Sequence, residues 1–339
     1  MIQFYKTIFQ GKLDFGSQAT YDKVMKMAIH RLETYYKNET IIKEEHFIES
    51  EFSLDVPRTV SQITDKFFKN SVDLIEYLAQ FALSGKVGCW MVENNVVLDF
   101  HIIEPSSEKN VVRNFQKGKR LSLEEGMEEE AIKFLSKVIK KHDKHSQAYE
   151  SRGHVNTMLK HWNDAEYDYS KAIRLDPNNS EAMVGRARLY IRQNKLEEAI
   201  ADLDMASKKS IALQATYWIA RRLKGECHMK LKQYKEAEFD FRLFTRRKFA
   251  EDDINYLWRK HVLFQYGLVL MELGEYEKAI DAINQSLEIK EGHGVVPVAD
   301  QLVKRGIAKQ KSGSKGFIAD WKEAADLGSK IANQLLQEN

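Results

Sequence analysis

Cys89, Asp99 and His101 place a thiol, a carboxylate and an imidazole within one short β-rich stretch. In a nucleophilic enzyme such a set supplies an attacking thiolate, its base and the group that orients the base. The runs KVGCWMV and VVLDFHII flank Glu93-Asn94-Asn95 and predict a hairpin, because Asn tolerates the positive φ that such turns need. A two-residue turn at Asn94-Asn95 pairs Cys89 with Phe100 and puts Asp99 and His101 on the opposite face. A three-residue turn sets Cys89 against Asp99. Register therefore decides the chemistry, and burial of an inert Cys is the ordinary outcome. A second set, His142, Asp143 and His145 in KKHDKH, offers too few ligands of defined geometry for a metal and reads as a solvated loop. No phosphate-cradling glycine loop and no paired-histidine zinc motif occurs, so neither cofactor nor metal is expected.

Charge offers a different chemistry. The chain of 339 residues has a formal net charge of +2, yet residues 208–261 carry fourteen Lys or Arg against seven Asp or Glu. Residues 1–111 carry twelve against sixteen. Arg221, Arg222, Arg246, Arg247 and Lys248 lead the candidates for an anion-binding face, with Lys224, Arg242, Arg259 and Lys260 nearby. Pairing with Glu226, Glu236 and Asp240 at helical spacing is the competing reading.

The elements that must carry these residues follow from a repeat. Small residues recur at Gly153, Ala187, Gly225, Gly267 and Gly306, and again twelve positions later at Ala165, Ala199, Ala237 and Ala279, with Ile318 closing the second series. A period near 34 with small residues at two phases marks stacked helix-turn-helix units, since Gly or Ala lets two helices share a close seam. Residues 146–179, with Tyr149, Gly153, Ala165, Tyr169, Ala172 and Pro177, resemble a complete tetratricopeptide repeat. Residues 180–213 repeat the pattern with Ala187, Tyr190, Ala199, Leu203 and Ala206. Residues 112–145 form a degenerate first unit whose Gly118 falls one residue early, and residues 299–328 a diverged last one. Residues inserted before the fourth and fifth units predict longer helices or irregular loops. Ile331, Leu335 and Leu336 predict a capping helix over 329–339. Trp162, Tyr234 and Tyr276 share one phase and read as helix-packing residues.

The resemblance implies a mainly α fold, with a tetratricopeptide-type solenoid of about six repeats plus a cap over 112–339; the strand and helix patterns of residues 1–111, which resemble no family, predict a small α/β domain before it. It also implies a groove lined by the first helix of each unit, typically holding an extended peptide or a partner's helix. At the matched phase stand Glu150, Ser151 and His154, then Glu181, Val184 and Arg188, then Arg222, Glu226 and Met229, then Phe264, Gln265 and Leu268. Members that grip acidic chaperone tails use Lys and Asn, then Asn, then Lys and Arg; here His154, Gly185 and Ile219 occupy three of those positions, a departure from that pattern.

The amino-terminal third has its own periodicity. Ile2, Phe4 and Ile8 predict a strand, and Tyr21, Val24, Met25, Ala28, Leu32 and Tyr35 fall on one helical face. A second helix is predicted after Pro57, with Ile63, Phe67, Leu74, Leu78 and Phe81 as its stripe. Residues 104–110 would link the two parts. Cys89 and Cys227 have no framework spacing, no secretory leader pattern opens the chain, and no run of about eighteen apolar residues occurs. These features lead to the expectation of a cytoplasmic, non-membrane, non-enzymatic adaptor that binds a protein segment. An RNA- or ribosome-associated factor using 208–261 is the alternative, and an enzyme centred on the amino-terminal domain is the third reading.

Overall fold

Alternation in β1 (Tyr5–Asp14) turns Thr7, Phe9 and Leu13 inward and leaves Lys6, Ile8 and Lys12 on the other face. In this computed structural model, which describes residues 3–94, 96–294 and 296–338, β1 is the centre of an antiparallel sheet. Its strand order is β2 (Phe47–Ile48), β3 (Ser53–Ile63), β1, β4 (Ser84–Glu93) and β5 (Val96–Ile103). Two helices, α1 (Gln18–Thr34) and α2 (Asp65–Ala79), are capped by the side chains of Ser17 and Thr64. Their apolar stripes, Tyr21, Val24, Ala28 and Leu32 on α1 and Phe68, Leu74, Ile75 and Leu78 on α2, share one core with Phe9, Leu13, Val87 and Cys89.

The helix predicted after Pro57 is corrected here. Residues 53–63 form β3, and the helix begins only at Asp65. The β1–β3 ladder pairs Phe9 with Thr59 but Gly11 with Val56, so β3 holds an extra residue around Pro57 and Arg58. The proline, which has no N–H to donate, sits where the ladder is already interrupted. Ile63 therefore ends the strand, and Phe81 lies beyond α2. Tyr35, predicted on the buried face of α1, is exposed, and Tyr36 takes the core position. Phe4 precedes β1 and is exposed; Ile2 lies outside the described residues.

From residue 110 onward the described residues form thirteen α-helices and no strand. They pair as α3 (Asn110–Leu121) with α4 (Glu128–Lys141), α5 (Ser146–Met158) with α6 (Trp162–Leu175), and α7 (Ser180–Arg192) with α8 (Leu196–Lys209). There follow α9 (Ala215–Lys230) with α10 (Tyr234–Arg246), α11 (Arg259–Glu272) with α12 (Tyr276–Glu288), and α13 (Val298–Ser312) with α14 (Phe317–Asp326). A last helix, α15 (Lys330–Glu338), buries Ala332 and packs Leu335 and Leu336 beside Trp321. Trp162, Tyr234 and Tyr276 each open the second helix of a pair. The chain divides into two units, Met1–Ala182 and Met183–Asn339, the division falling inside α7.

Within each pair the small residue of the first helix lies under a large residue of the second. An added Cβ would come within 2.8 Å of Leu135 at Gly118, 3.1 Å of Tyr169 at Gly153 and 2.6 Å of Phe241 at Gly225. At Gly267 and Gly306 it would meet Ile283 at 2.7 Å and Trp321 at 2.3 Å. The early Gly118 of the first unit thus makes the same contact as its counterparts.

Candidate functional site

The residue just before the small one on each first helix sets how neighbouring helices meet. Arg152 donates from Nε and Nη2 to both oxygens of Asp168, at 2.8 and 2.7 Å, and from Nη1 to Ser136 at 3.0 Å. Arg305 grips Asp320 in the same two-pronged way, at 3.0 and 2.6 Å, and reaches Asn284 at 2.8 Å. Arg186 repeats the fork on Asp202, with both bonds at 2.7 Å. In the fourth unit Lys224 stands at this position, between Asp204 and Asp240, and Arg221 adds a bond to Asp240 at 2.7 Å. In the fifth, Ala282 replaces the carboxylate, and the position is Tyr266, whose hydroxyl meets Glu238 at 3.2 Å. The partners Ser136, Asp204, Glu238 and Asn284 all lie on the second helix of the preceding pair, so this residue ties one repeat to the last as well as closing its own.

The predicted groove positions on α5, with Glu181 at the start of α7, meet the amino-terminal sheet. Close antiparallel contact of β1 and β4 around Gly11 and Gly85, both at positive φ, leaves no room for a Cβ: one at Gly85 would lie 2.1 Å from the Lys12 carbonyl. Lys86 follows directly and donates to Glu181 at 2.8 Å, while the Gly85 N–H donates to Gln147 at 2.9 Å. Ser151 is buried, and Glu150 and His154 are half-buried. Burial pushes the Glu150 carboxyl up to about 7, with Glu181 adding to the rise and Lys86, Ser151 and Lys119 opposing it. Burial also raises Glu181, but the Lys86 ammonium and its hydrogen bond outweigh that and hold it below the usual range.

A carboxyl whose pKa is higher folded than unfolded makes its favourable contribution below the unfolded value and loses it as pH rises through the folded one. Glu150→Gln is therefore expected to match wild-type stability near pH 4.5 and to exceed it by about 1 kcal/mol or more near pH 8. Urea unfolding at the two pH values checks this, and equal differences at both would place Glu150 in solvent.

On α7, Val184 is buried and Arg188 exposed. Arg222 is buried, donates to Glu226 at 2.7 Å and stacks its guanidinium 3.7 Å from the Trp258 ring centre. Burial raises the Glu226 carboxyl, but His261 and Arg222 outweigh it and hold the group low. Phe264 is covered by Val296, with Leu268 beside it; Met229 and Gln265 are half-buried. The residues inserted between α10 and α11 and between α12 and α13 thus fold over these positions, joined by the His293 N–H donating to the Leu257 carbonyl at 2.7 Å and by Trp258 against His293.

The basic candidates divide. Arg221 and Arg222 direct their charge at Asp240 and Glu226. Arg247 is half-buried near Trp218, whereas Arg246 and Lys248 are exposed.

The amino-terminal constellation takes a register that neither predicted turn gives. Asn94 has positive φ, as expected, and Asn95 lies outside the described residues. The ladder pairs Val92 with Val97 but Met91 with Asp99, so Leu98 is an extra residue and Cys89 falls opposite His101. Proximity does not make it reactive: Cys89 is fully buried, and burial, with Glu76 adding, drives its thiol far above the range in which a thiolate forms. His101 instead lies 3.4 Å from Asp99 and 3.6 Å from Glu76.

His142 and His145 correct the expectation of a solvated loop, for both are buried, His142 against the sheet and His145 against Phe115 of α3. His142 Nε2 lies 3.2 Å from Asp14 and 3.3 Å from Ser84 Oγ. A catalytic serine, histidine and aspartate would use opposite ring nitrogens. Here both partners share Nε2, so the set fastens the sheet to the repeats. His145 Nδ1 accepts from the Ala148 N–H at the start of α5, and burial, with His142 adding, pushes this imidazole down to about 3. Asp143 is exposed, and among the described residues no three ligands gather as a metal site.

Six antiparallel helix pairs with a small-residue seam define a helical repeat protein. Family models described as tetratricopeptide repeat match residues 158–210 and 261–293, so the helices of those two stretches, from α6 to α8 and α11 with α12, are of tetratricopeptide type. Sperm-associated antigen 1 of Mus musculus is 32% identical over 126 residues, covering 37% of this chain and 13% of the relative. DnaJ homolog subfamily C member 7 of Homo sapiens is 26% identical over 121 residues, covering 36% of this chain and 24% of the relative. The matched stretch is thus a small part of each relative's length. Among solved structures, YrrB, described as a TPR protein with an unusual peptide-binding site, aligns with a TM-score of 0.51 at 18% identity, over 60% of this chain and 98% of its own. Pseudomonas aeruginosa pilF aligns at 0.53 and 18% identity, over 68% and 99%. These two share the fold. No helix among the described residues is long and apolar enough to cross a membrane.

The repeated Arg and Asp pairs were missed in the sequence. Their signal was present: Arg152 and Arg186 stand immediately before Gly153 and Ala187, and Asp168 and Asp202 follow at the same spacing in both units.

Proposed function

We propose that this chain is a non-enzymatic interaction scaffold whose first-helix groove takes a peptide or helix of a protein partner, with residues 1–111 as a second contact. The observation that carries this reading is the repeat itself: six helix pairs in tetratricopeptide register, with Met229, Gln265 and Leu268 on first helices still partly open to solvent. Supporting it, the thiol of Cys89 is buried, which disfavours its thiolate, and the Ser84, His142 and Asp14 set has structural geometry. The groove lining is mixed, with Arg188 and Glu226 beside apolar Met229 and Leu268, which suits an amphipathic segment better than a uniformly charged one.

A photoreactive side chain placed at Met229 or Leu268 is expected to crosslink one contiguous segment of a partner in cells. The same group at Phe239 or Tyr167, exposed on second helices, serves as the comparison. Equal capture of that segment from both surfaces would sink the groove assignment.

A further inference from the structure

We infer that strand β5 is a self-association edge, pairing antiparallel with β5 of a second copy of this chain about a two-fold axis at Phe100. The sheet ends in β2, of two residues, on one side and in β5, of eight, on the other. Among the described residues no strand pairs with the outer side of β5, so its outward N–H and C=O groups are a template for another strand. Its side chains are unusually apolar for a free edge: Val96, Leu98, Phe100 and Ile102 are 60, 47, 61 and 48% exposed.

The occupant is selected by the two polar residues between them. Asp99 on an edge strand rejects most strands laid against it, because a carboxylate facing an apolar or acidic residue loses solvation without compensation. It accepts a strand with a cationic or N–H donor group directly opposite. Two residues on in this same strand stands His101. Within one chain His101 lies 3.4 Å from Asp99 and 3.6 Å from Glu76; antiparallel pairing about Phe100 adds His101 of the second copy opposite Asp99 and its Asp99 opposite His101, so opposite charges meet on both sides of the axis. That register also sets Phe100 against itself and brings Ile102 beside Leu98, the bulged residue of the second copy, where regular pairing ends. On the sheet's outer face Val60, Ile8, Trp90 and Phe100 already form a cross-strand row, Trp90 lying over Gly88. The second copy continues this row across the seam and covers its open end.

Sedimentation of the full chain between about 1 and 100 μM tests this. A monomer–dimer equilibrium is expected. Phe100→Lys, on the solvated face, should weaken it at least tenfold with an unchanged circular dichroism spectrum. His101→Asp, which sets carboxylates face to face, should do the same. Adding Asp99→Lys to His101→Asp should restore association, because the charges again oppose.

A chain that stays monomeric at the highest concentration overturns the inference, as does a dimer indifferent to Phe100→Lys. Failure of the charge-swapped pair to reassociate, with its fold intact, overturns it too. So would a monomer that captures an extended peptide of another sequence on β5.

Discussion

Replacing Arg152 by leucine is expected to lower the stability of the protein by about 3–5 kcal/mol at neutral pH. Asp168 is 1% exposed, and its three hydrogen-bond contacts would be reduced to one, from Asn156 at 3.0 Å. The wild-type carboxyl already lies above its usual range because burial outweighs Arg152 and Asn156. Without the guanidinium it rises further, so the folded state holds the proton more tightly than the unfolded chain does. Stability then falls as pH rises through the folded pKa, and the deficit should be larger at pH 8 than at pH 5. Removing the stranded acid as well, with Arg152→Leu and Asp168→Leu together, should recover much of the loss. Urea unfolding of the three proteins at both pH values measures each part. A single variant that unfolds at the wild-type midpoint at pH 8 would mean that water reaches the carboxylate.

The second large effect is expected at the last repeat. Trp321 is fully buried against Phe317, Val303 and Ala332, and its loss to alanine should cost about 3–5 kcal/mol through the cavity it leaves. Gly306 makes the assignment testable by compensation. A methyl at Gly306 would sit 2.3 Å from the indole nitrogen, so Gly306→Ala alone should destabilise by overpacking. In the Trp321→Ala background the same methyl enters empty space and should be neutral or stabilising. A double-mutant cycle in thermal unfolding gives the coupling, and simple additivity would show that the two residues do not meet. Trypsin should also release α15 faster from Trp321→Ala, since Leu335 and Leu336 pack in the same cluster.

The helical part was legible because its information is periodic and local. Gly153, Gly225 and Gly267 must be small, as their Cβ positions are taken by Tyr169, Phe241 and Ile283, and that demand returns in every unit. The amino-terminal sheet was legible only in part, because its decisive features are non-local. Pro57 reads as a helix start until β1 is seen to leave it a bulge, and the turn at Asn94 does not reveal that Leu98 will be extra. At the groove, spacing identified the phase of Glu150, Arg222 and Phe264. It gave no sign that Lys86 of β4 would face Glu181, or that Trp258 and Val296 would cover Arg222 and Phe264, because those partners come from outside the repeat.

Stacked units of similar shape carry an inherent risk of misassembly: any first helix can dock, to a first approximation, on any second helix. In four of the units the residue before the seam glycine makes a polar contact to the preceding repeat that works against that error. Arg152 requires a hydroxyl at Ser136, Lys224 a carboxylate at Asp204, Tyr266 an acceptor at Glu238 and Arg305 an amide oxygen at Asn284. A skipped or exchanged unit would bring Tyr266 against a partner suited to lysine, or leave Arg305 beside the wrong acceptor, with the loss of a hydrogen bond at a half-buried seam. The polar pairs thus change from one seam to the next, as do the large residues over the small ones, Leu135, Tyr169, Phe241, Ile283 and Trp321, so each seam carries its own combination of the two.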